Sequence, residues 1–265
     1  MSLKLLEDVP DVLYKYRDWS NGFHKSLLVN QELYFCSIDQ FNDPFDGTIP
    51  HRYNPKELTE DNIFLKYRQI TMREHPDWNE QKVQEHCFTY QHMGLFHNEK
   101  YMEDFEKDTL ESMNRKFGMV CLCKRNDNFL LWSHYANSHT GFCIGFDKFK
   151  LFEDTKAQFS HMIYETELPT LGLFDNVFEH FTKLIGTKSK TWEYEDEYRL
   201  TKPDFVRKSV QLRKETIVEI LFGCKMLQSE KFALLKIIEA NYPHARVFDI
   251  SLSKTKFESQ ISQIR

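Results

Sequence analysis

The hydrophobic pattern of the chain divides into short runs typical of β-strands and longer stretches with helical spacing. Alternating apolar and polar positions indicate a half-buried strand, and an unbroken apolar run indicates a central one. The predicted strands are residues 12–17, 32–37, 119–124, 141–147, 161–165, 195–201, 217–222 and 246–250, with a weaker alternation at 210–213. The chain should therefore build a mixed sheet of about six to eight short strands.

Helical spacing is concentrated in the first half of the chain. Between residues 57 and 117 the sequence is highly charged, and Met102, Phe105 and Met113 recur at roughly helical intervals. This stretch predicts about two to four helices inserted between strands. Because the helices are grouped, the predicted fold class is α+β, in one domain over residues 1–265. Shorter helices are predicted at residues 24–29, 128–136, 177–185 and 229–241, the last capped by Ser229.

Composition restricts the partners and the compartment. The net charge of −5 gives the protein as a whole no electrostatic footprint for nucleic acid. No apolar run is long enough to cross a bilayer, and the first residues lack the apolar stretch of a secretory signal, so no membrane association is expected. Most of the six cysteines lie within apolar runs, which is typical of reduced, buried thiols. A cytoplasmic location is therefore expected.

Two polar side chains fall at the ends of the first two predicted strands. Arg17 ends the first, and its planar guanidinium can donate paired hydrogen bonds to a phosphate or a carboxylate. Ser37 ends the second, where a hydroxyl can point into a cleft. Taken alone, Arg17 is better explained by a structural ion pair with a nearby glutamate. The Asn42-Asp43 pair that follows is explained by a turn.

Aromatic and histidine side chains cluster at Trp132-Ser-His-Tyr135. Trp132 and Tyr135 could stack on a planar ring or hydrogen-bond a ribose, although packing of Trp132 in the core is the commoner outcome for such a residue. Cys121 and Cys123 with His134 and His139 could also bind zinc. Their spacing is not common among zinc sites and both cysteines lie in an apolar strand, so no metal is expected.

The segment Trp192-Glu-Tyr-Glu-Asp-Glu-Tyr-Arg199 places three charges at alternate positions. In a strand, Glu195, Glu197 and Arg199 would share one face. Two carboxylates that close repel each other, so one should have a raised pKa or be held by a cation. Such a pair suits a general base beside a charge stabiliser, or a pair of metal ligands. The alternative is a solvated acidic edge balanced by Arg199.

At these motifs the chain resembles a bacterial family known as domain of unknown function 2971. The resemblance spans nearly the whole chain and implies no activity. The motifs that carry it are Tyr14-Lys-Tyr-Arg17, Leu33-Tyr-Phe35, Phe41-Asn-Asp-Pro-Phe-Asp46, Leu131-Trp-Ser-His-Tyr135, Gly141-Phe-Cys-Ile-Gly-Phe-Asp147, the Trp192 to Arg199 segment and Ile220-Leu-Phe-Gly223.

The Arg–Ser–Glu-x-Glu order is also distantly similar to ADP-ribosyltransferases of the Arg–Ser–Glu type, which implies a split sheet with a helical insertion. By this resemblance Arg17 would hold the phosphates or ribose of NAD, and Ser37 would orient Glu197. Glu197 would bind the nicotinamide ribose and stabilise the oxocarbenium ion, while Glu195 would polarise the acceptor. The usual Ser-Thr-Ser of that family is here Cys36-Ser37-Ile38.

The implied substrate is the nucleotide NAD, and the acceptor, a protein or a nucleic acid, is not specified by the sequence. No motif marks the aromatic clamp for nicotinamide, for which Tyr34, Trp132 and Tyr135 are candidates. Two other functions fit the same residues. One is a metal-dependent nuclease or phosphodiesterase, with Mg²⁺ held by Asp43, Glu195 and Glu197 and phosphate by Arg17 or Lys190. The other is a nucleotide-binding module without turnover.

Overall fold

The computed structural model describes residues 6–265, which group into two compact units. The first unit contains residues 6–40, 116–162 and 191–265, and the second contains residues 41–115 and 163–190. The predicted helical insertion at residues 57–117 corresponds to three helices that lie almost entirely in the second unit. None of the described helices is both long and apolar enough to cross a membrane.

Ten strands of the first unit form one eight-stranded sheet and one two-stranded sheet. The eight-stranded sheet has the order β12-β11-β10-β4-β1-β3-β8-β5, and it is mixed because β10 and β11 are parallel while its other neighbours are antiparallel. The smaller sheet pairs β2 with β9. The strands are β1 Val12–Arg17, β2 Glu32–Phe35, β3 Phe117–Cys123, β4 Phe142–Asp147, β5 Gln158–His161, β8 Glu197–Pro203, β9 Lys208–Gln211, β10 Ile217–Phe222, β11 Arg246–Leu252 and β12 Ser259–Gln263.

Apolar side chains cover both faces of the eight-stranded sheet. Because side chains alternate along a strand, Leu13 of β1 belongs to the larger core cluster, whereas Tyr14 and Tyr16 belong to the smaller one. The larger cluster includes Leu27, Leu28, Leu234 and Ile238 from two helices, and the smaller includes Leu131 and Trp132 from a third. The helices of this unit are α1 Gly22–Val29, α5 Phe129–Tyr135, α6 Lys148–Thr155 and α8 Gln228–Asn241.

The second unit is mainly helical. It contains α2 Glu60–Glu74, α3 Glu80–His92, α4 Glu99–Lys116 and α7 Val177–Gly186, with β6 Ile163–Glu165 paired in parallel with β7 Thr187–Ser189. Side-chain caps begin three of these helices: the first backbone N–H groups bond to Thr59, Asn79 and Asn176. A separate small core joins Ile63 and Tyr67 of α2 to Val83 and Cys87 of α3.

The predicted α+β class with a mixed sheet is confirmed. Strands 12–17 and 217–222 have the predicted bounds. The predicted strand 161–165 is wrong, because the chain leaves the large sheet after His161 and Ile163–Glu165 pairs with β7. The predicted start of the strand at Glu195 is also wrong, since residues 190–195 form a 3₁₀ turn and Asp196 has a φ of 45°. Ser229 does not cap α8, whose N-cap position is Leu227.

Gly141 allows the end of β1 to lie against the start of β4. A Cβ atom at Gly141 would lie 2.1 Å from the backbone oxygen of Arg17 and 2.9 Å from that of Ala136. The Gly141 N–H also donates to the Ala136 oxygen at 2.8 Å. Any side chain here must therefore displace backbone that is hydrogen-bonded on both sides.

We expect Gly141→Ala to lower the free energy of unfolding by about 3 kcal/mol, because the added methyl group clashes with backbone that cannot move independently. Denaturant unfolding followed by circular dichroism measures this change. Gly22→Ala is the matched control, since nothing lies within 4 Å of a Cβ at this first residue of α1. It should leave stability unchanged or raise it by less than about 1 kcal/mol. Equal effects of the two substitutions would contradict the explanation.

Candidate anion-binding site

One edge of strand β3 has two pairing partners, which are β1 and Cys36, the residue that follows β2. At one end of this edge Cys123 lies opposite Tyr14 of β1. At the other end Met119 exchanges backbone hydrogen bonds with Cys36, at 2.9 and 2.8 Å. Beyond Tyr14, β1 no longer pairs with β3 but stays paired with β4 as far as Arg17. We call the resulting gap, bordered by Lys15–Arg17, Cys36 and Cys121, the split.

Two cations extend from β1 at the split. The Lys15 ammonium donates to the backbone oxygen of Cys121 at 2.7 Å. Backbone N–H and C=O groups of successive residues point to opposite edges of a strand. The Cys121 carbonyl therefore points to the same edge of β3 as the N–H and C=O of Met119, two residues earlier. Arg17 is two residues beyond Lys15 and partly exposed. The thiols of Cys36 and Cys121 are close enough to affect its pKa.

Burial and mutual repulsion disfavour the charged forms of these groups. Burial, followed by repulsion from Arg17, lowers the pKa of Lys15 to about 8. Burial also lowers the pKa of Arg17 to about 10, which leaves it charged at neutral pH. At His24 of α1, burial and the charge of Arg17 lower the pKa to about 4, so this ring is neutral at pH 7. The split therefore holds two cations, Lys15 and Arg17, whose charged forms are disfavoured by their surroundings.

The Arg17 guanidinium has no protein partner among residues 6–265. No carboxylate is among the groups that affect its pKa, and its nitrogen atoms form no hydrogen bond or ion pair with a described residue. Buried or half-buried arginines are usually paired, because an unpaired guanidinium loses hydration without gaining hydrogen bonds. A planar donor group with free N–H bonds, next to a second cation, is suited to bind a phosphate or carboxylate.

Ser37 lies just after the bridge at Cys36 and is fixed by three neighbours. Its hydroxyl donates to Asp39 and accepts a hydrogen bond of 3.1 Å from Nε of Arg207. Nη2 of Arg207 in turn donates to Asp39 at 2.6 Å, and the Ser37 N–H donates to the side chain of Gln40 at 3.1 Å. The hydrogen bonds of the hydroxyl with described residues thus hold the segment after β2 in place, and none of them is with Glu197.

Glu197 and Arg199 of β8 form a buried ion pair. Their exposed fractions are 3% and 0%, and Nε and Nη2 of Arg199 donate to one carboxylate oxygen of Glu197 at 3.0 and 2.8 Å. The expected common face of these two residues is confirmed. Glu197 is on the strand next to β3, opposite Cys123. The negative charge of Glu197 acts on Lys15 at the split, where it partly offsets the lowering of the Lys15 pKa by burial and by Arg17.

Glu195 precedes the strand and is positioned by a different element. It ends the 3₁₀ turn, and its carboxylate accepts a hydrogen bond of 2.8 Å from the Tyr135 hydroxyl at the end of α5. Asp196, in the left-handed conformation, separates it from β8. Glu195 is therefore a buried hydrogen-bonded carboxylate and does not continue the alternating face of Glu197 and Arg199.

The three candidate aromatic residues lie in three environments. Trp132 is 1% exposed, packs edge-on against Tyr16 with ring centroids 5.1 Å apart, and donates from Nε1 to the Asn126 oxygen at 2.9 Å. It supports β1 from the core and offers no exposed ring face. Tyr34 contacts Phe23 edge-on, and its hydroxyl donates to Gln40 at 3.1 Å. Tyr135 is partly exposed beside Glu195.

Asp43, in the second unit, carries an unsatisfied polar atom. Its Oδ1 accepts from the Phe45 N–H at 3.0 Å, which confirms the expected turn. Its Oδ2 is buried and has no hydrogen-bond partner among the residues described. Across residues 6–265, no three His, Cys, Asp or Glu side chains are grouped so that they could hold a metal ion.

Sequence reasoning missed Lys15, His24, Asp39 and Arg207. Lys15 could have been found, because it is two residues from Arg17 and shares its side of the strand. Asp39 and Arg207 are 168 positions apart in the chain, and no local pattern connects them.

Comparison with known proteins gives one match. Residues 131–200 match the family described as "Protein of unknown function (DUF2971)". This supports the resemblance to that family over a stretch that contains Trp132, Tyr135, Glu195, Glu197 and Arg199. No curated protein and no solved structure matches the chain.

We expect Arg17→Met to leave the free energy of unfolding unchanged or to raise it by about 1 kcal/mol. The substitution keeps most of the side chain's bulk and removes a half-buried charge that has no partner and repels Lys15. Thermal or denaturant unfolding measures the change. The matched control is Arg199→Met, which removes two charge-assisted hydrogen bonds to the buried Glu197 carboxylate and should cost about 3 kcal/mol or more. Destabilisation of similar size in both variants would contradict the view that Arg17 is unpaired.

Proposed function

We propose that this protein binds NAD through its phosphates at the split, with Arg17 and Lys15 as the phosphate-binding residues, and transfers ADP-ribose to an acceptor. The observation that carries the proposal is the unpartnered Arg17 guanidinium beside the Lys15 ammonium. An NAD diphosphate bears two negative charges, and two adjacent cations would neutralise them. Binding would also offset the repulsion from Arg17, which after burial is the second cause of the lowered pKa of Lys15.

The transfer step needs negative charge near the ribose. The bond between ribose C1 and the nicotinamide nitrogen breaks, nicotinamide leaves as a neutral molecule, and the acceptor oxygen or nitrogen bonds to C1 and releases a proton. Positive charge develops on the ribose in between, and a fixed carboxylate stabilises it. Glu197 is the proposed carboxylate, and Arg199 fixes its position. Glu195, hydrogen-bonded to Tyr135, is the proposed group for polarising the acceptor.

A second candidate is a module that binds the nucleotide without turning it over. The burial of Glu197 and its pairing with Arg199 favour this candidate, because a neighbouring guanidinium weakens the field of the carboxylate at the ribose. Both candidates place the phosphates at Arg17. They differ only in whether nicotinamide is released.

Two substitutions separate binding from turnover. Arg17→Lys keeps the charge but loses the planar fork, so the Kd for NAD should rise about tenfold or more. Glu197→Gln keeps size and hydrogen-bond reach but removes the charge, so NAD hydrolysis with water as acceptor should slow about a hundredfold, with little change in Kd. Calorimetry measures binding, and release of nicotinamide measures turnover.

Matched controls come from an exposed ion pair in the same unit. Arg213→Lys and Glu153→Gln change the partners of a contact that is 2.7 Å long and half-exposed, and neither should alter NAD binding or turnover. Binding of NAD without nicotinamide release by the wild type would favour the binding module. Binding of Mg²⁺ or Mn²⁺ but not of NAD would favour the metal-dependent nuclease and overturn the proposal.

The pH dependence of NAD binding gives an independent test. Free Lys15 has a pKa of about 8, and a bound phosphate would raise it, so affinity is greatest below the free pKa and falls as pH rises through it. We expect the Kd to increase about tenfold between about pH 7 and pH 9, the effect of losing one charge-assisted contact. His24 remains neutral in this range because its pKa is about 4.

Lys15→Arg should bind NAD with nearly constant affinity over the same interval, because its guanidinium does not lose its proton there. The diphosphate diester of NAD has no ionisation in this range to confuse the comparison. An unchanged pH dependence in this variant would show that another group controls binding.

A further inference from the structure

Strand β12 forms one edge of the eight-stranded sheet. In the part of the chain that the structure describes, its only pairing partner is β11. The opposite edge of β12 therefore presents the backbone N–H and C=O groups of alternate residues. An open edge of this kind is a template for pairing with another strand.

The sequence of β12 has none of the usual protection against such pairing. Ser259-Gln-Ile-Ser-Gln263 contains no charged residue, proline or glycine, although charged residues are 28% of the chain. Open edges are commonly protected by lysine, proline or a bulge. Four of the five residues are exposed, including the apolar Ile261. The exposed side chains of Leu252 and Ile264 lie on the same hairpin.

We propose that β12 pairs antiparallel with β12 of a second copy of this chain, about a two-fold axis at Ile261. In this register the two Ile261 side chains lie opposite each other. Each Gln260 then lies opposite Ser262 of the other copy, and each Ser259 opposite Gln263. The two eight-stranded sheets would become continuous across the axis.

The occupant is a second copy because the strand is complementary to itself. A two-fold interface requires one surface to match its own copy. Here each small hydroxyl side chain meets a long amide side chain, the apolar centre meets an apolar centre, and no like charges face each other. A charged peptide would find no opposite charge on β12, so charge gives it no advantage over the second copy.

Paired substitutions at residues 260 and 262 test the proposal. In the proposed register, residue 260 of each copy lies opposite residue 262 of the other copy, so the dimer contains two such pairs. Gln260→Lys/Ser262→Lys places like charges opposite and should raise the dimer Kd at least about tenfold. Gln260→Glu/Ser262→Lys places opposite charges there and should keep the dimer or tighten it. Ser262 lies opposite Asp249 within the chain, so a lysine at this position is compatible with the fold.

Sedimentation velocity over a concentration series measures association, and circular dichroism confirms that each variant is folded. We expect a dimer for the wild type, a shift to monomer for the double-lysine variant and a dimer for the charge-paired variant. Ser229→Lys, an exposed position on α8, is the control for added charge. A monomeric wild type, or a double-lysine variant that dimerises as well as the wild type, would overturn the proposal.

Discussion

The shared edge of β3 is the feature on which the candidate site depends. A strand can offer each backbone group on one edge to one partner only, so β1 and the segment that follows β2 cannot both pair along its full length. Cys36 occupies the edge at Met119, and β1 meets it only at Tyr14. The Cys121 carbonyl between them bonds to the Lys15 ammonium instead. The split is thus a direct consequence of strand pairing and holds a cation by the backbone rather than by a carboxylate.

Charges in the first unit are distributed unequally. The acidic groups near β8 are stabilised by neighbours: Arg199 for Glu197, and the Tyr135 hydroxyl for Glu195. At the split, Arg17 has no such partner among the described residues and Lys15 bonds to a backbone oxygen, and burial lowers the pKa of both. The fold tolerates this because Tyr16, between them, is anchored by Trp132 and by a hydrogen bond of 2.7 Å to the Arg125 oxygen. Packing of Tyr16 on one side of β1 thereby fixes the strand that carries Lys15 and Arg17 on its other side.

Local pattern predicted the strands that bury apolar residues, and it failed where the conformation depends on distant groups. Residues 12–17 and 217–222 were predictable because burial imposes their sequence. The break at Asp196 was not, since its left-handed backbone is accompanied by contacts of its side chain with His161 and Lys124. Period-two spacing correctly placed Glu197 with Arg199, but it could not tell an ion pair from a catalytic carboxylate. Trp132 is buried because its ring packs against Tyr16. The motif around Trp132 could not distinguish this core position from a ligand-binding one.

The order of strands separates the candidate site from the proposed dimer contact. The split lies between β1 and β3, whereas β12 is four strands away from β1 in the same sheet. Neighbouring strands are about 4.8 Å apart, so roughly 19 Å of hydrogen-bonded sheet lies between the two features. A second copy at β12 would therefore not cover Arg17 or Lys15, and a charge introduced at residue 260 or 262 would be largely screened at the split. Association and nucleotide binding can consequently fail independently, and neither proposal depends on the other.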